Sequence, residues 1–364
     1  MDMKPYLQTI LLIDDSYSKF IEGFTMVGKT NGFTIIAFDN VKAGIAYLQE
    51  NENEIGAVLL DLSFTQNNYE GLEALQQIKN TNTLLPVIML SGSQSEKDMT
   101  QAVACMREGA FNYVVKTNFD LVSLFQMLKV AVSQYQSNTE LERHTALKEE
   151  YRSKYAAYQK MLYTTEMILQ NILKDKLMFT PTFEGRVKEF KSFYEKVKQK
   201  ETKEGFIAEP FHRIIDLAGL RVIFYNAVDL QKAVDLLQAA NDFIDVKNGS
   251  NLVADDKSKT YGYRAVHFDV KLNDKKRLHL EEYQMLSEIP CEVQFKTIFA
   301  HSWSKVYHAL SYKEVGEMQL PLEGKENLDI DFKAAAKNLE SIEQQITDLC
   351  AKYHPGTKTI PNAN

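Results

Sequence analysis

The sequence predicts two α/β domains joined by a long helix: a doubly wound parallel sheet first, a mixed α/β domain second. Three observations carry this. Between Thr9 and Lys116, four short apolar runs end on an acid, a hydroxyl or a lysine, with helical patterns between them. Between Gly109 and Pro181 there is no glycine or proline to interrupt a helix. From Asp216 to Lys296, three strand-like pieces carry polar residues at the edge of, or alternating with, apolar ones.

The totals fit a soluble globular chain. Its 364 residues suggest two or three domains, and 45% hydrophobic with 25% charged residues is ordinary globular composition. A net charge of −7 does not suit a general polyanion binder, so any nucleic-acid contact needs a local basic patch. Cys105, Cys291 and Cys350 have no paired spacing, which argues against a disulfide framework or a zinc site and fits a reducing cytoplasm. The run Ile10 to Ile13 is too short for a signal or membrane segment, so no membrane association is expected.

The first domain is expected over 1–135. Its strands are Thr9 to Ile13, Ala57 to Leu60, Val87 to Leu90 and Tyr113 to Val115, with helices such as Gly71 to Lys79 and Met99 to Glu108 between them. In doubly wound sheets the site lies at the carboxyl ends of the strands. Those ends carry Asp14, Asp15, Asp61, Ser91 and Lys116. Three carboxylates gathered together repel one another unless a hard cation such as Mg²⁺ sits among them, and a hydroxyl and an ammonium beside them suit a phosphoryl group on Asp61.

That pattern resembles the receiver domain of bacterial response regulators. The resemblance implies Asp14 and Asp15 as metal-binding acids beside Asp61, Asp61 as phosphoacceptor, and Ser91, Tyr113 and Lys116 as the switch residues. It also implies a cognate histidine kinase. Thr117 stands where the family usually has proline.

A helix from Phe119 to Tyr135 closes this domain, with Leu121, Leu124, Phe125, Leu128 and Val132 on one face. A helical connector follows over 136–176. Its stripe of Leu147, Tyr151, Tyr155, Tyr158, Leu162, Leu169 and Ile172 serves either a coiled-coil dimer seam or packing on the chain's own second domain. Ser137 to Thr139 is either a short break or a polar turn of one long helix.

The second domain is expected over 177–320. Gly185-Arg186-Val187-Lys188 opens a basic helical stretch through Lys191, Lys196, Lys198, Lys200 and Lys203; if the segment starts extended, Arg186 and Lys188 point the same way, and such charge runs are usually solvated faces. Arg221 interrupts an apolar strand five residues after Asp216, and a charge there is costly unless it meets a polar ligand. Arginine forks onto phosphates and stacks on bases. Tyr261 to Val270 and Ile289 to Phe295 read as strands, Leu230 to Ala240 and Ile298 to Leu310 as helices. Period-two alternation places Glu292 and Gln294 on one strand face. Asp216, Glu292, Tyr263 and His267 together look like a nucleotide site with a divalent metal.

Gly185-Arg186-Val187-Lys188, Asp216-Leu217-Ala218-Gly219-Leu220-Arg221, Gly262-Tyr263-Arg264-Ala265-Val266-His267 and Glu292-Val293-Gln294-Phe295-Lys296-Thr297 resemble, in order, the motifs of the RelA/SpoT alarmone synthetases. The resemblance implies a nucleotidyltransferase-like fold. It implies pyrophosphate transfer from ATP to the 3′-hydroxyl of GDP or GTP, giving ppGpp or pppGpp, with Mg²⁺. Asp216 and Glu292 would be the catalytic and metal-binding acids. Arg186, Lys188 and Arg221 would bind ATP, and Lys259, Tyr263, His267 and Gln294 would line the acceptor. No histidine-aspartate hydrolase motif is present, so the likeness is to a synthetase-only enzyme. Lys296 replaces a usual arginine, and His301, Tyr307 and Tyr261 also depart from the pattern, mostly on the acceptor side. Two other readings stay open: the same transfer to an adenine nucleotide or a tRNA 3′ end, and a non-catalytic nucleotide-binding regulator. A C-terminal segment over 321–364 is expected to hold an amphipathic helix from Phe332 to Tyr353, with Leu339, Ile342, Ile346 and Leu349 on one face, and a loose tail. Such helices suit a homo-oligomer or packing within the monomer.

Overall fold

The computed structural model describes residues 8–64, 70–92, 96–117, 120–239, 244–247, 265–273, 286, 288–312 and 322–353. It divides into two compact units, Met1–Leu147 and Lys148–Asn364.

The first unit is built on a five-stranded, all-parallel sheet in the order β2-β1-β3-β4-β5. The strands are β1 (Thr9–Ile13), β2 (Thr34–Phe38), β3 (Ile55–Asp61), β4 (Val87–Ser91) and β5 (Asn112–Val115). The helices are α1 (Ile21–Thr30), α2 (Val41–Glu50), α3 (Glu70–Thr81) and α4 (Glu96–Arg107). β3 and β4 are buried along their whole length. Strands covered on both faces read as unbroken apolar runs, which is why the sequence marks them. The strand missing from the sequence expectation is β2. It is a half-exposed edge strand that pairs only with β1. Gly71, at the start of α3, has no room for a side chain: a Cβ there would collide with the backbone carbonyls of Asp61 and Leu62.

The expected last helix of this unit and the connector form one continuous helix, α5 (Leu121–Leu173), without a break at Ser137 to Thr139. Its first part buries Leu124, Phe125, Leu128 and Val132 in the core of the first unit. Its last part buries Met161, Ile168, Leu169 and Leu173 in the core of the second. Tyr151, Tyr158 and Leu169 are buried within this chain, which meets the alternative of internal packing, while Tyr155 stays 39% exposed.

The second unit carries a mixed sheet in the order β6-β7-β10-β9-β8. The strands are β6 (Thr182–Val187), β7 (Ala218–Phe224), β8 (Ile244–Lys247), β9 (Val266–Leu272) and β10 (Cys291–Thr297). Only β7 and β10 are parallel; the other pairs are antiparallel. The helices are α6 (Phe190–Glu204), the single turn α7 (Pro210–Arg213), α8 (Ala227–Ala239), α9 (Ile298–Tyr312) and α10 (Leu322–Tyr353). The basic stretch starts extended: Gly185 to Val187 belong to β6 and its helix begins at Phe190, and pairing with β7 decides the conformation there. β8 was not expected: it is a four-residue edge strand, too short to show a period.

The sheet has one apolar and one polar face. Cys291, Val293 and Phe295 of β10 are buried, while Glu292, Gln294 and Lys296 between them are half-buried. β9 repeats this, with Phe268 and Val270 inward and His267 and Asp269 outward. α5 and α8 cover the apolar face. Gly185 turns to that side, where an added Cβ would come 3.1 Å from Leu162 of α5. α10 packs Phe332, Ala336 and Leu339 against Ala300, Trp303 and Tyr307 of α9. Ile342 and Leu349 of the expected stripe are 44% and 54% exposed. Among the described residues no helix is long and apolar enough to cross a membrane.

Candidate functional site

In the first unit, the carboxyl ends of the strands gather the five expected residues. Asp14 follows β1, Asp61 ends β3, Ser91 ends β4 and Lys116 follows β5. Asp14, Asp61 and Ser91 are all buried. Ligand atoms of Asp14, Asp15 and Asp61 lie within 4.8 Å of one another. The Lys116 ammonium is 2.7 Å from Asp14 Oδ2 and 2.9 Å from Asp61 Oδ2. Burial lifts the Asp61 carboxyl to about 6; Lys116 pulls it back, while the charges of Asp14 and Asp15 push it further up. Burial lowers the Lys116 ammonium, but its two carboxylate partners outweigh that and raise it. The acids fit a hard divalent cation, because one ammonium does not neutralise three clustered carboxylates. Tyr113 lies half-buried on β5.

In the second unit, strand register builds the polar face row by row. Glu184, Arg221, Gln294 and His267 form one row across β6, β7, β10 and β9. Arg186, Gly219, Glu292 and Asp269 form the next. Asp216 lies in the turn that leads into β7, and Lys188 in the residue after β6. The Lys188 backbone N–H donates to the Leu217 carbonyl at 2.8 Å, which holds these two segments together.

Asp216 is a carboxylate between two ammonium groups. Lys188 and Lys196 both donate to its Oδ2, the latter at 2.7 Å. Its Oδ1 is buried with no partner. Burial pushes the Asp216 carboxyl up, yet the two lysines outweigh that and hold it below the usual range. Glu292 Oε2 accepts a 2.8 Å hydrogen bond from Gln294, and Oε1 lies 3.3 Å from His267 Nδ1. Burial raises Glu292 and the charge of Asp216 adds to that rise, but His267 and Gln294 bring the net value below the usual one. Both acids are therefore ionised at neutral pH. The bare Oδ1 of Asp216 fits a further cationic group, such as a divalent metal.

Lys196 was not singled out from the sequence, because it stands in a charge run that reads as a solvated face. The signal was its position: Phe193 and Val197 mark the buried side of α6, and Lys196 flanks it. Lys198 of the same run faces Glu201 at 3.5 Å. Glu184 was also missed. It lies 3.4 Å from Arg221 Nη1, 3.1 Å from Lys305 Nζ and 3.6 Å from His301 Nε2. Arg221 thus meets a carboxylate of its own chain, and its Nε is buried without a partner. Burial lowers His301, and the cations Lys305, Arg221 and Lys296 lower it further against Glu184. Arg186 is exposed on β6. Lys259 and Tyr263 lie outside the described residues, as do Tyr261, Gly262 and Arg264.

Known proteins divide the chain along the same lines. Residues 10–129 match the response regulator receiver domain, and residues 185–317 match the region found in RelA / SpoT proteins. The chain is 26% identical over 168 residues to the GTP pyrophosphokinase YjbM of Bacillus subtilis, covering 45% of this chain and 69% of that one. It is 30% identical over 123 residues to the DNA-binding transcriptional regulator NtrC of Escherichia coli K12, over 34% of this chain and only 24% of that regulator. A crystal structure of the small alarmone synthetase 1 from Bacillus subtilis bound to its product pppGpp aligns at 20% identity and a TM-score of 0.45, covering 56% of this chain and 98% of that one.

Proposed function

We propose that this chain, in which a response regulator receiver domain precedes a RelA/SpoT region, is an alarmone synthetase whose output is set by phosphorylation of its receiver. The reaction is pyrophosphate transfer from ATP to the 3′-hydroxyl of GDP or GTP. The carrying observation is a pair of ionised carboxylates: Asp216, held by Lys188 and Lys196 at the entry to β7, and Glu292, held by His267 and Gln294 on the polar sheet face and raised by the charge of Asp216.

The acceptor 3′-oxygen attacks the β-phosphorus, the bond from that phosphorus to the oxygen bridging the α-phosphorus breaks, and AMP leaves. Glu292 is ionised and held in place by His267 and Gln294, so it takes the hydroxyl proton. Negative charge builds on the transferred oxygens, and Lys188 and Lys196 are already aimed at this region. Asp216, with Glu292 beside it, would hold a Mg²⁺ ion that offsets the same charge. Arg186 and Arg221 bind the ATP base, which requires Arg221 to exchange its Glu184 contact for the nucleotide. Lys259, Tyr263, His267 and Gln294 line the acceptor.

In the receiver, Asp61 is the phosphoacceptor and a histidine kinase the donor. Its carboxylate attacks the phosphorus of the donor phosphohistidine, the phosphorus–nitrogen bond breaks and the kinase histidine leaves; Lys116 meets the phosphoryl charge, Asp14, Asp15 and Asp61 would hold a Mg²⁺ that offsets the same charge, and Ser91 and Tyr113 respond to it. The chain's net charge of −7 does not favour a tRNA acceptor. The test offers γ-labelled ATP with Mg²⁺ to GDP, GTP, ADP and bulk tRNA separately. Label on a guanine nucleotide, lost in Glu292→Gln, supports the reading; label on tRNA or ADP keeps the chemistry and replaces the acceptor.

A further inference from the structure

Tyr151 makes a contact that the reaction as described does not use. It is the fourth residue of the second unit, on a helix that starts in the first. Its side chain is buried in an aromatic cluster, with ring centroids 5.6 Å from Phe190, 6.3 Å from Phe193 and 5.8 Å from Tyr155. A ring alone would satisfy that cluster. The hydroxyl instead donates a 2.6 Å hydrogen bond to the backbone carbonyl of Lys188. Burial raises the phenol, with Tyr155 and Glu189 adding to the rise, so it stays protonated and acts as the donor.

Lys188 is consequently held at three points. Its carbonyl accepts from Tyr151, its N–H donates to the Leu217 carbonyl, and its ammonium meets Asp216. The first of these fixes the backbone of the site to α5, and the second fixes it to the residue after Asp216. Lysine carries a long, flexible stem, so where its ammonium points depends on how firmly its backbone is held. Small errors of placement cost an enzyme much more than they cost a fold.

We propose that Tyr151 is a positioning residue for the transfer: through the Lys188 carbonyl it sets where the Lys188 ammonium sits beside Asp216 and the ATP phosphates. This rests on the reading that Lys188 and Asp216 serve the transfer. It makes the contact between α5 and Lys188 the route by which a change in that helix reaches the site.

Two variants of the full chain separate positioning from packing. Tyr151→Phe keeps the ring and removes the hydroxyl. Phe193→Leu keeps the hydroxyl and weakens the cluster around it. Each is compared with the parent by thermal midpoint, by kcat and KM with ATP varied, and by affinity for α,β-methylene ATP. Tyr151→Phe should lower kcat/KM for ATP and weaken the analogue about tenfold by loosening the placement of the Lys188 ammonium, with a drop in midpoint no larger than that of Phe193→Leu. Phe193→Leu should lower the midpoint and leave both ATP readouts within about twofold. ATP constants of Tyr151→Phe within about twofold of the parent would overturn the proposal. So would a Phe193→Leu protein that loses ATP affinity as much as Tyr151→Phe does. If the parent binds the analogue but forms no product, the synthetase reading fails while the binding comparison still decides the role of Tyr151. A parent that does neither overturns both.

Discussion

In the proposed transfer the chemistry turns on Glu292 and Asp216, and each makes a separate demand. Glu292→Gln keeps the shape and removes the proton acceptor, so turnover should fall about 10²- to 10⁴-fold with an unchanged thermal midpoint. Lys196→Met removes the second cation from Asp216 and should lower kcat/KM for ATP about 10- to 100-fold, as expected for a lost charge-assisted hydrogen bond; wild-type steady-state constants would contradict the geometry. Asp61 gives a pH prediction. Its folded-state value, about 6, lies above the ordinary 3.8. Its contribution to stability is therefore full below about pH 4 and lost as pH rises through about 6. Two units correspond to a penalty on the order of 3 kcal/mol at neutral pH without metal. Asp61→Asn should raise the midpoint of the receiver at pH 7.5 in EDTA, and the gain should vanish near pH 4. Circular dichroism melts at the two pH values check this; a difference that does not depend on pH would count against it. At this scale, Asp14, Asp61 and Lys116 were legible because each stands at the end of a short apolar run, and Glu292 and Gln294 because alternation fixes their face. Lys196 and Glu184 were not, since what marks them is the partner that each meets in space, far along the chain.

Among the elements, the buried strands β1, β3 and β4 read directly from sequence, as apolar runs with no competing pattern. Among the edge strands, β5 was read while β2 and β8 were not; half-exposed strands owe their conformation to pairing with a neighbour more than to composition. In β6 the basic residues left the start of the helix open, and pairing with β7 decides it. Helix α3 depends on Gly71, so Gly71→Ala should cost the receiver about 2 kcal/mol through backbone displacement; an unchanged melting midpoint would refute that reading of the close approach. Helix α5 runs unbroken from the core of the first unit into that of the second. Two glycines inserted between Glu142 and Arg143 should leave basal synthesis intact and abolish its response to receiver phosphorylation. A response that survives the insertion would exclude α5 as the carrier.

The molecule as a whole, on the function proposed above, joins a phosphoacceptor to a pyrophosphate transferase in one chain. The sequence carried that order of parts in two separate sets of motifs. The sign of the proposed regulation is not written in those motifs, because it would depend on how α5 answers a charge placed on Asp61. The most direct measurement incubates the purified chain with γ-labelled ATP, Mg²⁺ and GDP or GTP, with and without acetyl phosphate, alongside Glu292→Gln and Asp61→Asn. Label on the guanine nucleotide that is absent in Glu292→Gln, at a rate that acetyl phosphate alters in the parent but not in Asp61→Asn, is the predicted result. No transfer to either nucleotide with the receiver phosphorylated would contradict it.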